Sequence, residues 1–224
     1  RGGGGGAYAK IPTLAVTTSG SYTLVVGVGG TGGGFGDSGV NGGNSTIAGT
    51  GLTGTKTCSG GTASSSSAVG NGGTVSGSGQ SWAGYTGGAG GAGSGGGGGA
   101  VGVFATGMVG GNTSAHSMGG YQGIGGITDA ASGGLVMSGY GIICGGSKPS
   151  ERSYFNANYY NYPNRGDDLC GGGAVTYSNN SGWIYAAPGG IGGGGGGCRN
   201  ANNENHAFGG DGGDGIILIQ YLPW

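Results

Sequence analysis

Three glycines near the start of the sequence have the spacing of a phosphate-binding loop. Gly27, Gly29 and Gly32 follow the apolar run in "YTLVVGVGGTGGGFGD" and match the dinucleotide fingerprint G-x-G-x-x-G. In that fingerprint the pyrophosphate lies at the N-terminus of a helix that follows the glycines. The residues that follow here, "GGGFGDSGVNGG", cannot form a helix. With 70 glycines in 224 residues the pattern is expected by chance, and it is better explained by close backbone packing.

Residues that could support catalysis or metal binding are scarce. The two histidines, His116 and His206, have no neighbouring acid and nucleophile in a recognisable arrangement. Asp211 and Asp214 in "GGDGGDG" resemble part of a calcium-binding glycine-rich repeat. That repeat needs several copies, and the sequence has one. Their spacing of three would place both on one face of an extended glycine segment. The sequence therefore predicts a protein that is not an enzyme and uses no cofactor or metal.

The four cysteines allow two interpretations. None of Cys58, Cys144, Cys170 and Cys198 forms the short C-x-x-C pair that is typical of a zinc site. An even number permits two disulfides in three connectivities, and free buried thiols are the alternative. If disulfides form, Cys144–Cys170 is favoured, because it would close the base of the longest glycine-poor stretch.

That glycine-poor stretch, "KPSERSYFNANYYNYPNRGDD", is rich in tyrosine and asparagine. Tyrosine combined with asparagine and serine is the composition of antibody recognition loops, in which rigid aromatic area is joined to adaptable hydrogen bonding. A second interpretation is that these rings cover the ends or sides of the molecule and compensate for a missing core. The candidate receptor-binding residues are Tyr154, Phe155, Tyr159, Tyr160 and Tyr162, with Trp183 and Tyr185 from a neighbouring stretch.

Composition limits the elements that could position these residues. Glycine supplies close to a third of the chain and charged residues only 7%. A net charge of -1 gives no basis for binding nucleic acid or an anionic membrane, and no apolar run approaches the roughly 18 residues of a membrane-spanning helix. No window shows apolar residues at the helical period of 3.6. A non-helical fold is predicted.

The expected fold is one glycine-rich domain over residues 1–224 with three zones. Alternating apolar and polar residues predict a β-hairpin over residues 7–28, and "IILIQY" predicts a closing strand over residues 215–221 that pairs with it in a small sheet. Glycine blocks dominate residues 29–214. The spacing of three between their non-glycine residues predicts a bundle of extended left-handed helices of the polyglycine or polyproline II type, joined by distal loops. Such helices make no internal hydrogen bonds, so neighbouring helices must satisfy their backbones.

Both ends of the chain resemble a known family. "GGGGGAYAKIPTLAVTTSGSYTLVVGVGGTGGG" and "GGDGGDGIILIQY" are similar to the glycine-rich domain of bacteriophage tail-fibre tip adhesins and related virion fibre proteins. The resemblance implies a polyglycine II sandwich whose distal loops attach, without covalent chemistry, to a bacterial surface polysaccharide or outer-membrane protein. It also implies a virion or extracellular location and other virion fibre proteins as partners. The alternative is a structural subunit of a capsid-borne or extracellular glycine-rich filament.

Overall fold

The computed structural model describes most of the first hundred residues and shorter parts of the remainder. The described ranges are 1–34, 37–65, 67–77, 83–92, 97–99, 135–137, 143–145, 175–177, 184–186, 188–200 and 207–219. These residues form short strands and extended segments, and none of them is helical. The prediction of a non-helical fold is confirmed.

Twelve short strands occur in the described residues. They are β1 (Tyr8–Lys10), β2 (Tyr22–Val25), β3 (Ser45–Gly49), β4 (Lys56–Cys58), β5 (Val75–Ser76), β6 (Ala83–Tyr85), β7 (Leu135–Met137), β8 (Ile143–Gly145), β9 (Val175–Tyr177), β10 (Ile184–Tyr185), β11 (Cys198–Asn200) and β12 (Ala207–Phe208). Across these same parts of the chain, no helix has the length and apolar character needed to cross a membrane.

The strands form one four-stranded sheet and four pairs. The four-stranded sheet is antiparallel, with the order β2-β3-β4-β5. The pairs β1–β6 and β7–β8 are antiparallel, whereas β9–β11 and β10–β12 are parallel. All of these sheets are small, so most of the described backbone must find hydrogen bonds elsewhere.

The predicted hairpin over residues 7–28 is wrong. Two strands do form within that range, β1 and β2, but they do not pair with each other. Tyr8 lies opposite Tyr85 of β6, and Leu24 lies opposite Ile47 of β3. Alternation of apolar and polar residues indicates a strand but carries no information about its partner, and here both partners come from more distant parts of the chain.

The predicted closing strand over residues 215–221 is also not found in its described part. Residues 215–219 belong to no strand and pair with neither β1 nor β2. Gly215 instead donates its amide to the carbonyl oxygen of Gly27 at 2.8 Å. The small sheet expected from the hairpin and this segment is therefore replaced by the four-stranded sheet and the β1–β6 pair.

Glycine segments hydrogen-bond to one another with a period of three residues. In residues 2–7 each successive amide donates to a different neighbouring segment, and every third amide returns to the same neighbour. The donor and acceptor pairs are Gly2–Gly91 and Gly5–Gly88, Gly3–Gly195 and Gly6–Gly192, and Gly4–Thr62 and Ala7–Ser59, with N···O distances from 2.6 to 3.1 Å. A segment that turns once every three residues thus has neighbours on three sides.

The same period recurs near residue 210. Amides of Gly209, Gly212 and Gly215 donate to the carbonyl oxygens of Gly33, Gly30 and Gly27, respectively, at 2.8–2.9 Å. Donor numbers rise by three while acceptor numbers fall by three, so these two segments run antiparallel. These three hydrogen bonds join backbone atoms only.

Glycine backbone fills most of the interior. Among the residues whose burial is described, Ala186 is the only buried hydrophobic residue with a side chain, whereas Gly4, Gly88 and Gly193–Gly197 are all buried. A Cβ atom at Gly4 would lie less than 3.0 Å from the backbone of Asn71, so only glycine allows this approach. Backbone hydrogen bonds therefore take the place that side-chain burial has in most domains.

Candidate binding surface

All three fingerprint glycines use their amides within the protein, and two of them donate to carboxylates. Gly29 and Gly32 donate to the Oδ1 atoms of Asp214 and Asp211, and both N···O distances are 2.7 Å. A phosphate in this loop would have to displace two carboxylates from the donors that it needs. The loop is therefore not available as an anion site.

Close packing explains why these positions are glycine. A Cβ atom at Gly29 would lie less than 3.0 Å from the carbonyl of Gly212, and one at Gly32 would make the same contact with Gly209. The remaining fingerprint residue, Gly27, donates to Ser45 Oγ at 3.0 Å. The sequence-based interpretation of the motif as backbone packing is confirmed.

Each of the two aspartates joins a pair of glycine segments. Their carbonyl oxygens accept the amides of Gly189 and Gly192, both at 2.8 Å, while their carboxylates accept amides from the segment that contains Gly29 and Gly32. Both carboxylates are exposed and contact the same segment at positions three residues apart. The expectation that Asp211 and Asp214 project from one face is confirmed.

Hydroxyl groups also accept backbone amides, between the segments that contain Ser59–Thr62 and Asn71–Thr74. Thr62 Oγ1 accepts the amide of Asn71 and Ser59 Oγ accepts the amide of Thr74, both at 2.8 Å. The backbone amides of Thr62 and Ser59 donate back to the carbonyl oxygens of the same two residues, at 2.9 Å. Since the carbonyls of Ser59 and Thr62 already accept amides from residues 4–7, the hydroxyl provides the acceptor that the backbone lacks.

An aromatic pair lies beside one glycine ladder. The rings of Tyr185 and Phe208 stack with centroids 5.0 Å apart and an interplanar angle of 16°. Strands β10 and β12 hold the pair, because Ala186 donates its amide to the carbonyl oxygen of Phe208 at 2.9 Å and the next residue, Gly209, donates to Gly33. Tyr185 is 38% exposed, so part of its ring area is open to a ligand.

A carboxylate accompanies the aromatic pair. A Cβ atom at Gly34 would lie 3.5 Å from Cε1 of Phe208 and 3.9 Å from Oδ2 of Asp37. The carbonyl oxygen of Gly34 also accepts the amide of Asp37 at 3.2 Å. Apolar ring area next to an exposed acceptor suits a ligand with both an apolar face and hydroxyl groups, such as a sugar ring.

Sequence reasoning selected one member of this group and missed two. Tyr185 was a predicted receptor-binding residue and stacks on Phe208, which was not selected. Asp37, also not selected, lies within 4 Å of the same hypothetical Cβ position at Gly34 as Phe208. The other predicted residues lie outside the described parts of the chain, namely Tyr154, Phe155, Tyr159, Tyr160, Tyr162 and Trp183. Phe208 carries one recognisable signal, since it stands directly before the glycine block "GGDGGDG".

Two of the four cysteines can be described in full. Neither Cys58 nor Cys198 forms a disulfide, and both are half-buried. Burial raises the pKa of the Cys58 thiol from 9.0 to about 11, and a backbone hydrogen bond from Ala9 opposes this rise only partly. Cys144 lies in β8 and Cys170 lies outside the described residues, so their pairing stays a prediction.

The raised pKa predicts that the Cys58 thiol reacts slowly with alkylating reagents. In a variant with Cys144, Cys170 and Cys198 changed to serine, iodoacetamide at pH 8 should modify Cys58 about 100-fold more slowly than an exposed peptide thiol, because two pKa units lower the thiolate fraction about 100-fold. Mass spectrometry of the intact protein over time measures the rate. The rate should increase as the pH rises towards 11 and should become ordinary in denaturant. A fast reaction in the folded protein at pH 8 would contradict the assignment.

The described residues contain no group of three or more histidine, cysteine, aspartate or glutamate side chains that could hold a metal ion. His116 and His206 lie outside those residues. In the described residues, the candidate binding surface is therefore the stacked pair Tyr185 and Phe208 with Asp37 nearby, held on a hydrogen-bonded glycine scaffold.

Comparison with known proteins identifies the family of the chain. A family model described as a glycine-rich domain matches residues 1–222, which is nearly the whole chain. No curated protein sequence and no solved structure matches it.

Proposed function

The chain belongs to the glycine-rich domain family, and on that premise we propose that it is the receptor-binding tip adhesin of a bacteriophage tail fibre. Its role is to attach a virion to a bacterial surface polysaccharide or outer-membrane protein by non-covalent contacts. Other virion fibre proteins are its structural partners, and its location is the virion.

The scaffold in this proposal is a bundle of polyglycine II helices. A helix of that kind has three residues per turn and no internal hydrogen bonds. The observed ladders support it, because every third amide in residues 2–7 donates to the same neighbour. A scaffold made in this way is stiff, since each segment is held on several sides by hydrogen bonds, and a stiff scaffold limits the entropy lost when its loops bind.

One observation carries the proposal, and it concerns the two glycine segments on either side of residues 100–188. Gly194 donates its amide to the carbonyl oxygen of Gly98 at 2.8 Å, so the segments on either side of this long stretch are direct neighbours. The stretch contains all seven predicted receptor-binding residues. Described parts of the stretch, β9 and β10, pair with β11 and β12 beside this ladder. A tyrosine-rich stretch attached to a hydrogen-bonded scaffold at both of its ends is an arrangement suited to presenting binding loops.

Adsorption of the protein to host bacteria tests the proposal. A variant with Tyr159, Tyr160 and Tyr162 changed to alanine should fold normally and lose most of its binding to cells, because rigid aromatic side chains dominate the energy of such surfaces. Flow cytometry with fluorescently labelled protein on candidate host strains measures binding, and circular dichroism checks the fold.

Tyr85→Ala is the matched control. Tyr85 lies in β6, outside residues 100–188, so its loss should leave binding unchanged. Unchanged adsorption of the triple variant would refute the assignment of those tyrosines. Absence of binding by the unmodified protein to every strain that the parent virion infects would refute the adhesin proposal itself.

A further inference from the structure

The segment Ile216–Ile219, here called the apolar segment, is unusually open for its composition. Ile216, Leu218 and Ile219 are exposed by 50%, 57% and 71%, respectively. No backbone hydrogen bond joins the segment to another described residue. A run of four large apolar residues is typical of a strand that is covered on both faces.

The glycine ladder ends where the apolar segment begins. The bonds from Gly212 and Gly215 to Gly30 and Gly27 predict that the next donor is Leu218 and the next acceptor is Leu24, and that bond is not made. The hydrogen bonds between these two segments of the chain thus end at Gly215. Beyond this point, no described residue pairs with the backbone of Ile216–Ile219 or with the side of β2 that faces away from β3.

The second element of interest is the outer edge of β2, the edge that faces away from β3. This strand pairs with β3 on one side, and no other described strand lies against its opposite edge. Successive side chains of a strand point to opposite faces, yet Leu24, Val25 and Val26 are all exposed, by 41%, 48% and 49%. The edge therefore offers backbone donors and acceptors with apolar side chains on both faces.

Natural proteins usually block such edges with charges, proline or a bulge, because an open apolar edge pairs with other chains. Residues 22–28 and 215–219 contain no charged residue and no proline. An added strand would satisfy the backbone and bury apolar area on both faces in one step.

We propose that a second copy of this chain docks here, with the apolar segment of each copy adding as a strand to the outer edge of β2 in the other. The occupant follows from the composition of the two elements. Neither carries a charge that would select a partner of opposite charge, and each copy supplies both a strand and an open edge. Reciprocal pairing about a two-fold axis uses all four elements and leaves none exposed. This inference is independent of the receptor-binding proposal.

Self-association in solution tests the inference. The full chain should have twice the monomer mass in sedimentation or light-scattering measurements at micromolar concentrations. Leu218→Lys should raise the dissociation constant at least tenfold, because it would bury an unpaired charge in the new sheet. Val40→Lys is the matched control, since Val40 is exposed by 63% but lies in neither element, and it should leave the mass unchanged.

Two further experiments keep the result interpretable if Leu218→Lys folds poorly. Leu24→Lys places the charge on the accepting edge and should have the same effect. A peptide with the sequence of residues 215–221, added to the unmodified protein, should compete for the edge and shift the mass towards the monomer. A protein that stays monomeric at all accessible concentrations, or an oligomer that neither lysine variant nor the peptide weakens, would overturn the proposal.

Discussion

Changing Gly213 to alanine should lower the free energy of unfolding by about 3 kcal/mol, the upper part of the usual range for overpacking. A Cβ atom at this position would lie less than 3.0 Å from the carbonyl group of Gly190. The two segments cannot simply move apart, because Gly213 donates to Gly193 and Gly192 donates to Asp214, both within 2.9 Å. Denaturant unfolding followed by circular dichroism measures the loss.

The neighbouring glycine provides the control. A Cβ atom at Gly212 would meet its nearest atoms at 3.4 Å or more, which is ordinary van der Waals contact. Gly212→Ala should change stability by no more than about 0.5 kcal/mol, or increase it slightly by restricting the unfolded chain. Equal losses at both positions would show that the cost comes from replacing glycine in general and not from the contact with Gly190.

Removing both aspartate side chains should have the second large effect. The double variant Asp211→Ala, Asp214→Ala should lose about 2 kcal/mol, because it removes two charge-assisted hydrogen bonds of 2.7 Å to the amides of Gly32 and Gly29. The two bonds have separate partners, so the single variants should each lose about half of the total. The same unfolding measurement applies.

Two controls separate the hydrogen bond from the charge. Asn at positions 211 and 214 keeps an acceptor oxygen, so Asp211→Asn and Asp214→Asn should retain most of the stability. Asp37→Ala removes an exposed carboxylate that is not part of a ladder, and it should change stability by less than about 0.5 kcal/mol. If Asp37→Ala proved as costly as the double variant, net charge rather than hydrogen bonding would explain the result.

The features that sequence predicted well are those that depend on composition and on short-range spacing. The absence of helix follows from glycine content, and the shared face of Asp211 and Asp214 follows from their spacing of three. The same rule, applied more widely, would have found Ser59 with Thr62 and Asn71 with Thr74, which have that spacing and form a ladder edge.

Which segment of the chain pairs with which could not be predicted from the sequence, for a physical reason. A glycine segment has no side chain to distinguish one neighbour from another, so nothing local indicates that Gly3 meets Gly195 and Gly4 meets Thr62. Strand β1 illustrates the same limit, because its partner β6 is separated from it by most of the first hundred residues. The group formed by Phe208 and Asp37 beside Tyr185 likewise depends on distant segments and has only a weak local signal.

A glycine interior has a consequence for how the protein responds to temperature. Unfolding exposes apolar surface, which raises the heat capacity, and peptide groups, which lower it. Where side-chain burial is described, Ala186 is the one buried hydrophobic side chain, so the peptide contribution is unusually large there. For those parts of the chain we expect a small heat capacity change on unfolding and a flat stability curve. Their stability should then change little on cooling, where domains with apolar cores become weaker.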